Sequence, residues 1–526
     1  MEHHRLLRSA GLVGGLTLIS RGMGLIRDIL LAGLFGTSMA MSAFVLAFRI
    51  PNLFRALFGE GALSAAFVPV FVETRHREGD AEAWRLARRV FTLVGLVLAG
   101  LVLLGIAGLT VALTGWEWSE FTLLTLRLTR IMLPYLFFIC LTAVSMAALN
   151  SFHHFAIPAL TPWLLNLTLI GAMLMLCPRM GKSLDVQIFG VAYAVLLAGA
   201  LQWIAQGPTL LKFGWSPRPL GIGRDPRLFK MLALMGPVAL GRAVTQVNVL
   251  IDSLLAAWIG QWAVAALYFS ERLIYLPLGI FATALSTVLL PVLSGQAARS
   301  DQAALRETVA RSLRMLMFVM IPAAVGLFVL SGPIVRMIFE WRNFTADSTR
   351  LTALALRFYA PGMIVFSLGK VFVPAFYAQQ DTRTPVRVGV VTVGINIVLS
   401  IVFMRTWPME WKHAGIAFAT VVAETLNGIA LAWVLHRRIG SPGWAAIGRG
   451  LARISFCAAG MGVITWWACS LLTAGLPEGR LYGALAVLGS IFAGLLAYGA
   501  AAALLRVPEA RDLLQAFRRR AGHPAS

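Results

Sequence analysis

Apolar runs of roughly 18–25 residues recur from one end of this 526-residue chain to the other. Each is long enough to cross the ~30 Å hydrocarbon layer of a bilayer as a helix. That layer holds no water, so every backbone N–H and C=O must be satisfied within the protein, and only helices and closed barrels can span it. Barrel strands would read as about ten residues of strict alternation, a pattern absent here. Charged residues are 13% of the chain, against about 25% in soluble proteins. The expected fold is therefore all-α and integral to the membrane, with about 14 transmembrane helices. The spans read as 11–35, 40–71, 90–113, 122–149, 157–177, 186–211, 228–259, 263–294, 313–339, 351–379, 385–405, 413–436, 450–474 and 481–505.

The first span does not read as a cleavable signal peptide. It is too long, carries Arg21, Arg27 and Asp28 inside it, and is not followed by a small-residue cleavage site and a soluble domain. Cys140, Cys177, Cys457 and Cys469 show no CxxC or Cys/His spacing, which argues against a disulfide framework or a zinc site.

The net charge of +22 could suggest nucleic acid, but the placement of the charges excludes it. With about 14 spans both termini lie on one side. That side carries Arg75, Arg77, Arg85, Arg88 and Arg89 in one loop, and Lys212, Arg218, Arg224, Arg227 and Lys230 in another. It also carries Arg437, Arg438 and the tail ending Arg518, Arg519, Arg520. The bias orients both termini to the cytoplasm, in the bacterial inner membrane. The same charges attract anionic membrane lipids.

The chain repeats itself. IRDILLAGLFG around Asp28 matches LIDSLLAAWIG around Asp252, 224 positions on. Ala62-Leu63-Ser64 with Pro69-Val70 matches Ala284-Leu285-Ser286 with Pro291-Val292, 222 positions on. Arg130, Pro134, Ala148 and Pro158 match Arg357, Pro361, Ala375 and Pro385, each 227 positions on. Spans 1–6 thus recur as spans 7–12, and an even number keeps both copies in the same orientation. The expected organisation is an N-lobe (1–220), a C-lobe (221–440) and two further helices with a basic tail (441–526). The lobes are expected to be related by a pseudo-two-fold axis along the membrane normal, around a central cavity. Two similar bundles packed together without a transport role are the plain alternative.

Charges stand where lipid is expected. Arg21 and Asp28 lie seven residues apart in the first span and share a face. Arg27 is adjacent. The second span holds Arg49, Pro51, Asn52, Arg55, Gly59, Glu60 and Gly61, a composition that bends or breaks a helix. A charge at mid-membrane costs at least ~2.5–3.5 kcal/mol, so these groups must face water or one another. Pairing of Arg27 or Arg21 with Asp28, and of Arg55 with Glu60, leaves arginines over. An excess of guanidinium suits a phosphate or pyrophosphate, which arginine grips through two parallel hydrogen bonds. In the second copy Arg272, beside Glu271, either completes that set or snorkels from a span's end. Lys370 and Glu424 are further charges within spans. Asp252 has no basic neighbour on its own helix, while Asn396, Ser400 and Thr420 offer neutral oxygens. Such a set can hold a sodium ion or a proton for coupling; a neutral, hydrogen-bonded Asp252 is the other reading. No other cofactor is expected.

At these residues the chain resembles the MurJ (MviN) family of lipid II flippases in the MOP exporter superfamily. The likeness is carried by Ser20-Arg21 through Arg27-Asp28, Pro51-Asn52-Leu53-Phe54-Arg55, Gly59-Glu60-Gly61-Ala62 and Phe67-Val68-Pro69. Glu271-Arg272-Leu273, Leu290-Pro291 and the stretch from Phe376-Tyr377 to Thr384-Pro385 extend it. The resemblance implies a substrate, lipid II, which is an undecaprenyl pyrophosphate bearing a disaccharide-pentapeptide. It implies alternating access, essential cavity arginines at Arg21, Arg27, Arg55 and Arg272, and a groove for the polyprenyl tail on spans 13 and 14. It also implies proximity to cell-wall synthesis proteins. Ser42 stands where many members carry an acid, and Ala56 where some carry a base.

Other functions make different demands. A drug exporter is expected to place acids in an apolar cavity, the reverse of the first two spans. A different polyprenyl-linked glycan stays open, because arginines read the pyrophosphate and not the sugars. A membrane glycosyltransferase needs acids or bases placed to activate an acceptor. The outer acids Glu117, Glu120, Asp185, Glu340, Asp347, Glu410 and Glu478 are scattered singly.

Overall fold

The computed structural model describes residues 2–57, 63–218, 225–475, 477 and 479–511. Glu60, Gly59, Gly61 and Arg224 lie outside the described residues, as do the tail arginines. Among the described residues every regular element is a helix. Eleven helices among the described residues are long and apolar enough to cross a membrane, or twelve if a bent pair counts as one span. The first and seventh expected spans are not in that set. The first carries Arg21, Arg27 and Asp28, and the seventh has a shorter apolar stretch, Ala243–Ile259. Packing divides the chain into two compact units.

The first unit contains α1 (Glu2–Phe35), α2 (Met39–Phe54), α3 (Leu63–Glu78), α4 (Asp80–Gly115) and α5 (Glu120–Met132). It continues with α6 (Tyr135–Ser151), α7 (Ala156–Gly171), α8 (Leu184–Ile204), α9 (Gly207–Lys212) and α10 (Pro226–Ile259). α1 packs on α7, α2 on α5, and α6 on α8, while α3 meets α4, α6 and α10. Aromatic side chains fill the basic end of the unit. Phe71 meets Trp84 edge-on at 5.6 Å, and Phe152 stacks on Trp84 at 5.4 Å and on Phe213 at 5.0 Å. Such pairs add about 0.5–1.5 kcal/mol beyond burial.

Charges tie the same end together. Asp225 caps α10 by accepting from the Arg227 amide. Its carboxylate also accepts from the Arg227 guanidinium at 2.9 Å and from Arg89 of α4 at 2.6 Å. Arg227 reaches Glu78 at 2.7 Å, and Lys230 reaches Glu73 at 2.7 Å. The Arg227 guanidinium is the main reason that the Asp225 carboxyl titrates at about 2, well below its ordinary value; burial works against that shift and Arg89 adds to it. α4 begins about ten residues before the expected span, its first turns carrying Arg85, Arg88 and Arg89 ahead of the apolar run.

Four residues from much later in the sequence, Trp341–Phe344, also belong to this unit. The Trp341 indole donates to Ile29 O at 3.0 Å, and the Asn343 amide side chain donates to Leu34 O at 2.6 Å. Gly33 makes room for them, since a Cβ there would fall inside the Trp341 ring. Gly36 (φ +57°) turns the chain where a Cβ would strike the Asn343 carbonyl.

The second unit contains α11 (Ala263–Pro277), whose first residues belong to the first unit, α12 (Thr283–Ala298), α13 (Gln302–Val329), α14 (Ser331–Phe339) and α15 (Ala346–Tyr359). It continues with α16 (Gly362–Ala378), α17 (Arg383–Thr406), α18 (Lys412–Ile439), α19 (Trp444–Gly475) and α20 (Arg480–Leu504). α17 packs along α18, α19 along α20, and α13 along α19. A Cβ on Gly494 would clash with Thr465 Oγ1, so a bare backbone lets α20 approach α19 closely. The expected span 313–339 is broken at Leu330. The Ser331-Gly332-Pro333 run restarts the chain as a short helix, with proline in its first turn where no N–H is needed. Arg357 of α15 donates to the buried Ser331 hydroxyl at 2.9 Å and pins that restart.

Local geometry follows the repeat. The second helix of the first copy turns π-helical at residues 55–57. Its counterpart does so at Leu278–Ala282, between α11 and α12. The chain kinks at Leu133-Pro134 between α5 and α6, and at Ala360-Pro361, where α15 and α16 are bent by 46°.

Candidate functional site

α1 carries the charges and α7 determines their setting. Ser20, Gly24 and Arg27 recur at helical spacing and share one face. Asn166 of α7, itself buried, sits over that face. Its Nδ2 donates to Ser20 O at 3.2 Å, and its Oδ1 accepts from an Arg27 terminal nitrogen at 3.0 Å. A Cβ on Gly24 would lie 3.9 Å from that Nδ2, an ordinary contact distance, so the amide packs directly over Gly24. Asp28 takes the rest of the grip: its Oδ1 accepts from Arg27 Nε at 3.0 Å and from the other terminal nitrogen at 2.8 Å. Asp28 is 4% exposed. A buried carboxylate of this kind is tolerated because a guanidinium answers it at close range.

Of the two pairings expected for Asp28, the structure therefore makes the one with Arg27. Arg21 is exposed on α1, although it stands two turns from the buried Asp28. In the second helix Arg55 Nε donates to Asn52 Oδ1 at 2.9 Å, so Asn52 positions a cation one turn on. Arg49 is half-buried one turn before Asn52. The expected partner Glu60 lies outside the described residues.

In the second unit Arg272 lies over the Tyr268 ring, 4.4 Å from its centroid, a cation–π contact one turn along α11. Glu271 accepts from the Tyr359 hydroxyl at 3.5 Å. Asn396 and Ser400 are buried one turn apart on α17, and Thr420 of the adjacent α18 gives its hydroxyl hydrogen to Ile416 O. Asp252 is buried on α10 in the first unit and accepts from Asn248 Nδ2 at 3.3 Å. Glu424 accepts from Asn427 at 2.9 Å, and the charge of Lys370 acts on it.

Asn166 is the residue that the sequence reading missed. A single neutral amide in PALTPWLLNLTLIG looks like a tolerated polar group. The corresponding helix of the second copy also carries an asparagine, Asn396, three residues beyond the 227-position register. Each copy thus has an aspartate in its first helix and an asparagine in its fifth.

Chemically, the first unit holds one arginine rigidly, exposes a second on the same helix and orients a third from the next helix. Guanidinium groups so placed recognise phosphate oxygens by charge and by paired N–H donors.

Residues 31–480 match the family described as lipid II flippase MurJ. A probable lipid II flippase MurJ of Vibrio cholerae is 36% identical over 521 residues, covering 96% of this chain and 97% of that protein. The lipid II flippase MurJ of Burkholderia cenocepacia is 34% identical, covering 84% of this chain and 86% of that protein. Among solved structures, a lipid II flippase MurJ in an inward closed conformation superposes with a TM-score of 0.77 at 25% identity, over 96% of this chain and 99% of that one. A multidrug MATE transporter of the MOP superfamily superposes at 0.65 with 16% identity, over 81% of this chain and 95% of that one, a likeness of fold alone.

Proposed function

The chain belongs to the lipid II flippase MurJ family, and from that premise we propose that its arginines grip the pyrophosphate of lipid II during transport. The protein is a multi-pass membrane transporter rather than an enzyme: it moves the lipid-linked peptidoglycan precursor across the bilayer. Transfer is from the cytoplasmic to the periplasmic leaflet of the inner membrane, with both termini cytoplasmic, by alternating access. The basic loops set that orientation.

The observation that carries the reading is Arg27, a cation within α1, held by Asp28 and Asn166. A pyrophosphate loses its water on entering the membrane, and fixed guanidinium groups replace that hydration. Asp28 and Asn166 keep Arg27 in place when no substrate is bound. Arg21, exposed on the same helix, offers charge directly, and Arg49, Arg55 with Asn52, and Arg272 add to it. Glu60 serves as the countercharge of the second helix. Asp252 of the first unit acts as the coupling carboxylate for sodium or a proton; Asn396, Ser400 and Thr420 of the second unit are neutral oxygens of the kind such coupling uses. The membrane potential contributes ~2.3 kcal/mol per charge per 100 mV. Cell-wall synthesis proteins that consume the exported precursor are the expected protein partners.

The test is lipid II on the outer leaflet of cells depleted of their own flippase. The intact protein restores it, and Arg27→Ala, inserted to the same level, does not. If Arg27→Ala restores exposure fully, the pyrophosphate is not gripped there. If the intact protein fails while growth and insertion controls hold, the headgroup carried is another glycan.

A further inference from the structure

On the outer side of the first unit, at its basic end, α4, α6, α8 and the residues after α9 enclose a groove of about 370 Å³. That volume lies within the ~300–1,000 Å³ typical of small-molecule sites. Its floor is a stripe on α4 running from Arg88 through Phe91 and Gly95 to Ala99. Eleven residues of helix rise roughly 16 Å, about half the ~30 Å hydrocarbon thickness. The groove is therefore one leaflet deep. Its walls are Phe137, Trp203 and Trp215, with Trp215 5.5 Å from Phe91. The lipid side is open: Leu96, on the groove's edge, is 60% exposed.

Charge is confined to the mouth. Arg88 and Arg218 are the only ionisable side chains among the described residues that line the groove, and both are cationic. Among the described residues, buried Arg88 Nε and Trp215 Nε1 have no hydrogen-bond partner. The neighbouring Arg89 is engaged by Asp225; Arg88, one position earlier, lines the groove. Buried donors without acceptors are costly, and an anion at the mouth would satisfy them.

We propose that this groove is a binding site for an anionic phospholipid of the cytoplasmic leaflet. One acyl chain lies along the α4 stripe between Phe137 and Trp203. The headgroup phosphate meets Arg88, Arg218 and the Trp215 indole at the interface. Basic pockets between transmembrane helices on the cytoplasmic side hold anionic headgroups in this way, and tryptophans sit at that level. Phosphatidylglycerol fits: one negative charge against two arginines, and a chain long enough for a leaflet-deep groove. A zwitterionic lipid gains the apolar contact but not the charge. The site is separate from the arginines of α1 and α2 and binds whether or not substrate is moving.

The test uses the full chain in proteoliposomes, with phosphatidylglycerol carrying a diazirine midway along one acyl chain and phosphatidylcholine with the same chain. Cross-linked peptides are mapped by mass spectrometry. Phosphatidylglycerol labels the 91–99 and 137–141 segments in preference to phosphatidylcholine. Arg88→Gln and Arg218→Gln each cut that preference about fivefold, the effect of one basic residue near a membrane surface, and leave phosphatidylcholine labelling unchanged. Gly95→Leu fills the groove and lowers labelling by both lipids; a Cβ at Gly95 meets only Phe137, at 3.9 Å, so the helix accepts it. Equal labelling by the two lipids, indifferent to the arginine variants, overturns the proposal and makes the groove ordinary annular surface. Absence of label in these segments, when other lipid-facing helices are labelled, overturns it too. Displacement of phosphatidylglycerol by a polyprenyl pyrophosphate at equal mole fraction assigns the groove to an isoprenoid instead.

Discussion

Arg27 of α1 donates to Asn166 of α7 across 3.0 Å, a bond between residues 139 positions apart that joins two helices through one amide. A hydrogen bond to a charged group is worth about 1.5–3 kcal/mol. Asn166→Leu is therefore expected to slow the appearance of lipid II on the outer leaflet by roughly tenfold or more, at unchanged insertion. Asn166→Gln, which keeps the amide but moves it, should fall between. The readout is the rate of outer-leaflet exposure in flippase-depleted cells, and an Asn166→Leu protein as fast as the parent would show that Arg27 needs no positioning.

Arg21 tests charge against shape. Arg21→Lys keeps the charge and loses the planar fork that grips two phosphate oxygens. It is expected to lower export by about tenfold, the scale of one lost charge-assisted hydrogen bond. Arg21→Ala should abolish it. Equal activity in the lysine variant would mean that a point charge is enough.

Asp225 gives the protein a pH-dependent clamp at its basic end. Its carboxyl titrates at about 2 in the folded protein, against an ordinary 3.8. A depressed carboxyl stabilises the fold fully above pH 4, and that contribution is lost as pH falls through about 2. The thermal midpoint of the detergent-purified protein should drop between pH 4 and pH 2 for this reason. Asp225→Asn should cost about 1.5–3 kcal/mol at pH 7 and remove that part of the acid sensitivity. A variant with the parent's midpoint at both pH values would show that α10 is held by packing alone.

Gly33 and Trp341 form a pair in which one side chain occupies the space that the other lacks. Gly33→Ala is expected to expel the indole and destabilise the protein by about 1–3 kcal/mol, the cost of overpacking. Trp341→Ala loses the contact as well, but the double variant should be no worse than Trp341→Ala alone, because the clash has gone. Additive losses in a double-mutant cycle of thermal midpoints would separate the two residues.

Asp252 is buried with Asn248 as its described donor. Asp252→Ala should remove any sodium or proton dependence of export while the protein still inserts. Dependence that persists in the variant assigns coupling to another group.

Much of the fold was legible because hydropathy and helix length are direct consequences of lipid. Pro134, Pro361 and the π-turns at 55–57 and 278–282 fall where the repeat places them, whereas the π-turn at Ala172–Leu176 has no counterpart in the continuous α17. Tertiary partnership was less legible. The repeat marks where a segment copies another, whereas packing depends on which faces meet, and α10 packs with α2 and α3. The break at Leu330 was overridden by the apolar residues on both sides of it, although Ser331-Gly332-Pro333 marks it in the sequence. Charged site residues announced themselves through their cost in lipid. Asn166 did not, since an amide is tolerated in a helix and its role appears only once Arg27 is beside it. Glu60, read from the sequence as a countercharge to Arg55, lies outside the described residues.

The seat of Trp341 on the end of α1 also has a meaning in time. Ile29 O accepts from an indole that follows it by 312 residues. At synthesis rates of about 5–20 residues per second, roughly 15–60 s pass between the making of the two. During that interval the last turn of α1, with Gly33 and Gly36 bare, stands in the membrane without its cover. The first helix to be made is thus among the last to be finished, and a ribosome that stalls before residue 341 leaves behind a chain whose opening segment insertion and proteolysis machinery can still recognise as incomplete.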